Sequence, residues 1–353
     1  MSIRMNSDRR AMFNPKYTIT NKLLGNIKRI AEIVVDLNSR SFPKVVLLEM
    51  ERRARVISAH SSTSIEGNPL PLTEVKKILK NKPEFVRDSE REVLNYNKAL
   101  IELDELIKAG KIFLDTKWLE KIQKMVTEGL IEKHRWGHIR REPVFVNDPR
   151  ARKTIYWPPD HQDVSSMLKD LFVFLEKNIR VVDPLILAGI FHKQFVVIHP
   201  FIDGNGRTSR LATKVLLAKM GLDTFNLFSF ENYYNQNVTL YFQKVGLIGN
   251  YYDLKDQLEF TSWLEYFTDG IIDELLRVEK ELEKEVISPG TALKDYHLKI
   301  IAFIKEKGFI ADKDYSKLTD RAKPTRNLDF RKLIDLGLIV RIGKGKATYY
   351  KLK

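Results

Sequence analysis

The residues of this chain that could act together in a reaction lie in one stretch, IHPFIDGNGRTSR, at residues 198–210. His199 is a candidate base. Pro200 disfavours helical geometry at the residue before it, which predicts that a helix ends at His199 and that the imidazole lies at the mouth of a loop. Gly204 and Gly206 permit positive φ, so successive backbone N–H groups can converge there on an anion.

The second half of the stretch adds groups that bind phosphate. A helix is predicted to begin at about Asn205–Arg207, and helix N-termini favour negative charge. Arg207 and Arg210 are neighbours on that helix and can both donate to phosphate oxygens. Asp203 is the only carboxylate in the loop, and Mg²⁺ that bridges phosphates is typically held by one or two carboxylates. The set indicates phosphate-centred transfer with a histidine that deprotonates the acceptor; the alternative is a tight turn with a solvated arginine pair.

The elements that position these residues are mostly helical. The runs PLILAGIFHKQFVVIH and RTSRLATKVLLAKMGL predict helices before and after the loop. Upstream, KVVLLEMERRARVISAHSSTSIE predicts a helix that starts near Ser41-Phe42-Pro43 and ends at Gly67, and Thr73 is predicted to cap the next helix. FENYYNQNVTLYFQKVGLIG is predicted to be helical, whereas EPVFVNDPRARKTIYWPPD contains two short β runs around a polar turn and predicts a hairpin at 142–159.

Composition limits the class of protein. At roughly 150 residues per domain, 353 residues indicate two or three domains, which we place at 1–100, 101–289 and 290–353. The chain has no cysteine, which excludes disulfides and cysteine-ligated zinc and is consistent with a reducing compartment. The N-terminus lacks the apolar region of a signal peptide, and the most apolar stretch is too short and too polar to span a bilayer. These features predict a cytoplasmic protein.

Much of the net charge of +14 comes from the C-terminal segment. Residues 291–353 carry 16 Lys and Arg against 7 Asp and Glu. Three short helical patterns are followed by two strand patterns around a Gly-Lys-Gly turn, which predicts a winged helix-turn-helix. Six residues could contact the phosphates of duplex DNA: Arg321, Lys323, Thr325, Arg326, Lys344 and Lys346. A docking or dimer module, or a basic composition that only confers solubility, remains an alternative.

The stretch HPFIDGNGRTSR resembles the signature of the Fic family, His-x-Phe-x-Asp/Glu-Gly-Asn-Gly-Arg-x-x-Arg, at every defining position. HKQFVVIHPF is similar to the helix that leads into that signature, and GHIRREPVFVND with IYWPPD resembles the segment that carries the family's target-docking flap. The resemblance covers residues 20–270. It implies a mainly α fold, with a Fic helical core, an N-terminal helical extension and a β-hairpin flap, to which the C-terminal winged helix-turn-helix is joined.

The resemblance implies transfer of AMP from ATP to a Tyr, Ser or Thr hydroxyl of a target protein or of the chain itself, with release of pyrophosphate. His199 would be the general base, Asp203 would hold Mg²⁺ on the α- and β-phosphates, and Arg210 would hold the γ-phosphate. Tyr241 would contact adenine or pack in the core. The other expected nucleotide contacts are Gly204, Asn205, Gly206, Arg207, Thr208 and Ser209. The hairpin at 142–159 would pair with a target strand through its main chain.

A second string, SSTSIEGN, contains Ser62-x-x-x-Glu66-Gly67. It resembles the inhibitory motif Ser/Thr-x-x-x-Glu-Gly/Asn of Fic proteins that carry an N-terminal inhibitory helix. The resemblance implies that Glu66 pairs with Arg210 and occupies the γ-phosphate subsite, while Ser62, one turn earlier, orients the helix end. The alternative is a solvent-exposed glutamate beside a glycine that ends a helix.

Three other functions are compatible with the same residues. The chain could be a DNA-binding regulator whose core senses a nucleotide, or a transferase of UMP or phosphocholine. The same site could also remove AMP. A homodimer is compatible with the sequence as well.

Overall fold

The computed structural model describes residues 13–40, 42, 44–81, 83–111, 114–148, 153–222, 227, 229–287, 293–343 and 345–352. The helices are α1 Asn21–Ser39, α2 Lys44–Ile65, α3 Leu72–Lys80, α4 Asp88–Lys108, α5 Thr116–Thr127, α6 His161–Asn178, α7 Pro184–Ile198, α8 Asn205–Lys219, α9 Phe230–Gln236, α10 Val238–Val245, α11 Tyr251–Leu254, α12 Thr261–Ile287, α13 Asp295–Lys307, α14 Asp312–Tyr315 and α15 Lys323–Asp335. The strands are β1 Val146–Asp148, β2 Lys153–Trp157, β3 Gly249–Asn250, β4 Ile339–Ile342 and β5 Tyr349–Leu352. The fold is therefore mainly α, as predicted. Ser41, Pro43, the hairpin tip at 149–152 and Lys344 lie outside the described residues.

The chain divides into two compact units. Of the described residues, the first comprises those up to Val35 together with those in Ala54–Leu275, and the second comprises those in Asp36–Arg53 together with those from Leu276 onward. The domain bounds of 1–100, 101–289 and 290–353 stay predictions. Among the described helices, none combines the length and the apolar character that a membrane crossing requires.

Helix α7 is the centre of the first unit. It is apolar around nearly its whole circumference and is buried along nearly its whole length, as expected for a helix without a polar face. Asp183 caps its N-terminus by accepting from the backbone N of Leu185 at 2.8 Å, and Pro184 occupies the first turn. Helix α8 packs along α7 and also contacts α4 and α5. The loop between α7 and α8 is thus held at both ends by buried helices.

Two helix boundaries differ from the prediction. Helix α3 begins at Leu72 with Pro71 as its N-cap, so Thr73 lies inside the first turn and does not cap it. The run predicted as one helix from Phe230 onward is interrupted at Asn237, which has φ −144° and ψ 77°. The side chain of Asn237 accepts from the backbone N of Leu240 at 3.0 Å, because asparagine bonds more readily to a helix start than within a helix.

The predicted hairpin is present. Strands β1 and β2 pair in antiparallel fashion, with an irregularity between Val146 and Asn147. On its other side β2 pairs in parallel with β3, where Tyr156 lies opposite Gly249. The strand order β1-β2-β3 leaves β1 at the edge of this sheet.

Within the second unit, the part described from residue 293 onward has the helices α13, α14 and α15 followed by the antiparallel strands β4 and β5, which is the element order predicted for the C-terminal segment. Two of its arginines bind carboxylates of the same unit. Arg321 donates to buried Asp329 at 2.8 and 3.0 Å, and Arg326 donates to Asp312 at 2.8 and 2.9 Å. That both arginines contact DNA phosphates stays a prediction, and such contact would compete with these ion pairs. Lys323 is exposed, and assignment to the winged-helix class stays a prediction.

Candidate active site

His199 caps the C-terminus of α7 in a left-handed conformation, with φ 51° and ψ 60°. Among the described residues it is the only one other than glycine with a positive φ. A conformation of this kind costs on the order of 1–3 kcal/mol for a residue with a side chain, and such residues cluster at functional sites. The predicted helix end at this histidine is confirmed.

The ring of His199 has one nitrogen engaged with its own helix. Nδ1 lies 3.3 Å from the carbonyl oxygen of Val196, so Nδ1 carries the proton and donates, which leaves Nε2 with its lone pair. Burial lowers the pKa of His199 to about 4; the nearby Arg140 also lowers it, and Glu66 acts in the opposite direction. The imidazole is therefore neutral near pH 7, as a general base must be.

The loop after His199 is shaped by its own side chains. Gly204 has φ 81°, and a Cβ there would lie 2.7 Å from Cγ2 of Thr127. The Asn205 amide bonds to Phe201 in both directions, with Nδ2 donating to its carbonyl at 2.8 Å and Oδ1 accepting from its N–H at 2.9 Å. Asn205 therefore fixes the loop through both polar atoms of its amide.

Gly206 was predicted to permit a positive φ, and the structure gives it a different role. It lies in the first turn of α8 and does not have a positive φ. A Cβ at this position would collide with Oε1 of Glu66 and lie 3.1 Å from Nη1 of Arg210. Glycine is therefore needed here for the close approach of a carboxylate rather than for a turn.

Arg207 is buried between two carboxylates. Its Nη1 lies 2.7 Å from Oε1 of Glu92, and its Nη2 lies 3.0 Å from Oδ1 of Asp203. Asn68, two residues after Glu66, donates to Oε2 of Glu92 at 2.7 Å. Burial raises the pKa of Glu92, and the charge of Arg207 opposes that rise.

Arg210 is bound by the two residues of the SSTSIEGN string. Its Nε donates to Oγ of Ser62 at 2.8 Å, and its Nη2 donates to the carbonyl of Ser62 at 2.9 Å and to Oε1 of Glu66 at 2.6 Å. The Arg210 side chain is 0% exposed, whereas that of Glu66 is 28% exposed. Burial alone would lower the pKa of Arg210, but the charge of Glu66 raises it above its ordinary value.

Tyr241 lies behind Arg210 in the core. It is 1% exposed, its ring stacks on Tyr234 with centroids 4.6 Å apart, and its hydroxyl lies 3.1 Å from Nε2 of His192. Oγ1 of Thr213 lies 3.0 Å from Nδ1 of the same histidine. This packing supports the core alternative for Tyr241 and not a contact with adenine.

Thr208 and Ser209 are also directed inward. Both side chains are fully buried, and Oγ of Ser209 donates to the carbonyl of His192 at 3.3 Å. Oγ1 of Thr208 has no hydrogen-bond partner among the described residues. Both residues lie where α8 packs in the core, so their side chains do not fit the predicted contact with a nucleotide.

The residues present fit a magnesium ion carried by phosphates. Asp203 is 45% exposed, and its Oδ1 accepts from the N–H of Gly204 at 2.5 Å and from Arg207. Mg²⁺ keeps several waters and takes one or two carboxylates along with phosphate oxygens, which suits a half-exposed carboxylate beside an arginine. Across the described part of the chain, no group of three or more His, Asp or Glu side chains is gathered for a metal.

Residues 113–217 match the model of the Fic/DOC family, so the chain contains a Fic domain. The chain is 27% identical over 227 residues to the protein adenylyltransferase Fic of Aedes aegypti, which covers 59% of this chain and 43% of that protein. It is 29% identical over 173 residues to the protein adenylyltransferase Fic of Nematostella vectensis, which covers 46% of this chain and 37% of that protein. The chain thus spans less than half the length of these relatives.

The structure is similar to the crystal structure of a Fic family protein from Desulfovibrio desulfuricans G20. The TM-score is 0.63 at 20% sequence identity, over 97% of this chain and 98% of the other. The likeness shows that the fold is that of Fic proteins, including the helices that precede and follow residues 113–217.

Proposed function

We propose that this chain transfers AMP from ATP to a hydroxyl side chain of a protein. The observation that carries the proposal is the neutral His199, with Nε2 available as a base, at one end of a loop. The other end of the loop begins α8, with Arg207 in its first turn and Arg210 in its second. The adenylyltransferase names of the sequence relatives favour AMP as the transferred group.

In the proposed reaction, Nε2 of His199 takes the proton of a Tyr, Ser or Thr hydroxyl. The hydroxyl oxygen forms a bond to the α-phosphorus of ATP, the bond from that phosphorus to the bridging oxygen breaks, and pyrophosphate leaves. Arg207, Arg210 and the N–H groups at the start of α8 stabilise the negative charge on the phosphates. Asp203 would hold Mg²⁺, which when bound neutralises part of that charge.

The hairpin offers a place for the target. Because β2 is paired on both sides and β1 on one, a target strand would add to the free edge of β1. Main-chain hydrogen bonds at such an edge accept many sequences, so we propose that the flap at 142–159 positions a hydroxyl and leaves selection to other contacts.

We further propose that the site is autoinhibited. Glu66 occupies the Nη2 donor of Arg210 that a γ-phosphate would need. Helix α2 is anchored one turn before Ser62 by Ser58, whose Oγ donates to buried Glu231 at 3.4 Å. Tyr96 donates to the same carboxylate at 2.9 Å, and Lys214 lies 3.2 Å from it. These buried bonds support an inhibitory helix that is held in place.

Intact-mass measurement tests the function. The wild-type chain and the Glu66→Gly variant are each incubated with Mg²⁺ and ATP, UTP or CDP-choline. We expect the mass to increase by AMP with ATP, more in the variant, on a Tyr, Ser or Thr located by peptide mapping. A mass increase only with UTP or CDP-choline would assign a different donor, and loss of AMP from the modified protein after ATP is removed would show the reverse reaction.

The pH dependence of transfer tests His199 as the base. Because burial lowers the pKa of His199 to about 4, Nε2 stays unprotonated as the pH falls through the ordinary histidine value of 6.5. We expect kcat/KM of the Glu66→Gly variant to be level from neutral pH down through 6 and to decrease only as the pH approaches the lowered pKa. Circular dichroism at each pH controls for acid unfolding. A midpoint near 6.5 in the folded protein would contradict the assignment.

A further inference from the structure

The side chain of Arg140 is 3% exposed and donates to main-chain carbonyls at four positions. Its Nε donates to the carbonyl of His199 at 2.8 Å. Its Nη2 donates to the carbonyl of Pro159 at 2.5 Å and to that of Ile198 at 3.4 Å, and its Nη1 donates to the carbonyl of Glu142 at 3.3 Å. A guanidinium that is buried on carbonyls alone fixes the positions of the chain segments that it joins.

Two of these carbonyls belong to the C-terminus of α7. The last carbonyls of a helix lack partners within it, and a positive charge is favourable there. Tyr156, in strand β2 of the hairpin, donates to the carbonyl of Val197 at 2.8 Å. The carbonyls at the end of α7 are therefore hydrogen-bonded by Arg140 and by Tyr156 of the hairpin. His199, with its positive φ, lies at this end of the helix.

The other two carbonyls lie at the two ends of the hairpin segment. Glu142 begins the segment at 142–159, and Pro159 ends it. The backbone N–H of Arg140 also donates to the carbonyl of Pro200 at 3.0 Å. A single residue thus connects both ends of the hairpin to the backbone on either side of His199.

We infer that Arg140 is a positioning residue that holds His199 in its left-handed conformation and fixes the base of the hairpin against it. A hydroxyl on a target strand docked at β1 is thereby brought to Nε2 in a reproducible geometry. The effect on the transfer rate rests on the proposed function, whereas the effect on His199 itself does not. Lysine cannot replace Arg140 in this role, because one ammonium group does not reproduce the planar set of donors.

The first measurement is AMP transfer in the Glu66→Gly background. Arg140→Lys and Arg140→Ala are compared with Arg141→Ala, which removes the adjacent, exposed arginine. In a single turnover at saturating ATP we expect the Arg140 variants to lose roughly 100-fold in rate, the loss that a displacement of about 1 Å can cause. We expect the Kd for ATP to be unchanged, and Arg141→Ala to transfer AMP at the parent rate.

The second measurement does not depend on activity. The His199 ring is titrated by NMR with Glu66 and Asp203 intact, and its signal is assigned by its loss in His199→Ala. In Arg140→Lys we expect the ring to become hydrated and the pKa of His199 to rise from about 4 toward 6.5. Arg141→Ala should leave the titration unchanged.

The outcomes separate the inference from the proposed function. If Glu66→Gly with Arg140 intact transfers no AMP, the proposed function is wrong and the ring titration still decides the role of Arg140. Arg140→Lys matching Arg141→Ala in both measurements would overturn the inference. A second result would also overturn it: the Arg140 variants lose rate, ATP affinity and thermal stability together, while the titration of the His199 ring stays unchanged. Such a result would show a general effect on the structure and not on His199. If Arg140→Ala does not fold, both measurements are made on Arg140→Lys alone.

Discussion

Replacing Glu66 with glycine is expected to raise the rate of AMP transfer by about 10- to 100-fold at limiting ATP. The variant removes a charge-assisted hydrogen bond between Oε1 and Nη2 of Arg210, and such bonds are worth about 1.5–3 kcal/mol. The free donor then becomes available to a γ-phosphate. The measurement is the initial rate of labelled AMP incorporation.

Two further variants separate charge from space. Glu66→Gln keeps the size of the side chain and removes the charge, so its rate should lie between those of wild type and Glu66→Gly. Ser62→Ala removes the acceptor for Nε of Arg210 but leaves Glu66 in place, and its rate should increase less than in Glu66→Gly. Equal rates for wild type and Glu66→Gly, with both proteins folded, would rule out Glu66 as an inhibitor.

Replacing His199 with alanine is expected to lower the transfer rate about 100- to 10,000-fold, the range that a positioned general base contributes. The Kd for ATP should change little, because the described contacts of the His199 ring are with its own helix and not with the arginines. The measurement is the rate of AMP transfer in the Glu66→Gly background, alongside ATP binding by calorimetry.

Two controls distinguish lost chemistry from a disturbed backbone. His199→Gly removes the base but adopts a positive φ without strain, so it should match His199→Ala in rate while being at least as stable to heat. His138→Ala removes an exposed histidine nearby and should have no effect on the rate. A rate in both His199 variants within tenfold of the parent would exclude His199 as the base.

The features predictable from the sequence were those encoded by neighbouring residues. The end of α7 at His199 followed from Pro200, and the start of α8 followed from the glycines. The pairing of Glu66 with Arg210 was expected only from a resemblance, since the two residues are 144 positions apart. The structure places their charged atoms 2.6 Å from each other.

The residues that the sequence did not reveal act through tertiary contacts. Glu92 is one of several acidic residues on α4, and nothing local marks it as the partner of Arg207. Arg140 stands beside Arg141 in the sequence, yet one is buried on four carbonyls and the other is exposed. The sequence left Tyr241 as either an adenine contact or a core residue. Burial decides between these two roles, and it depends on how the surrounding helices pack.

The missing side chain at Gly206 has a genetic consequence. A Cβ at 206 would collide with the carboxylate of Glu66. In the proposed function a phosphate takes the place of that carboxylate, so a larger residue at 206 would exclude inhibitor and substrate together. Mutations that increase AMP transfer should therefore be rare in the loop between α7 and α8. They should be concentrated in the segment that faces it, around residues 58–66. Spontaneous activating alleles would be expected to map to α2 and the turn after it, while loop alleles would be recovered as losses.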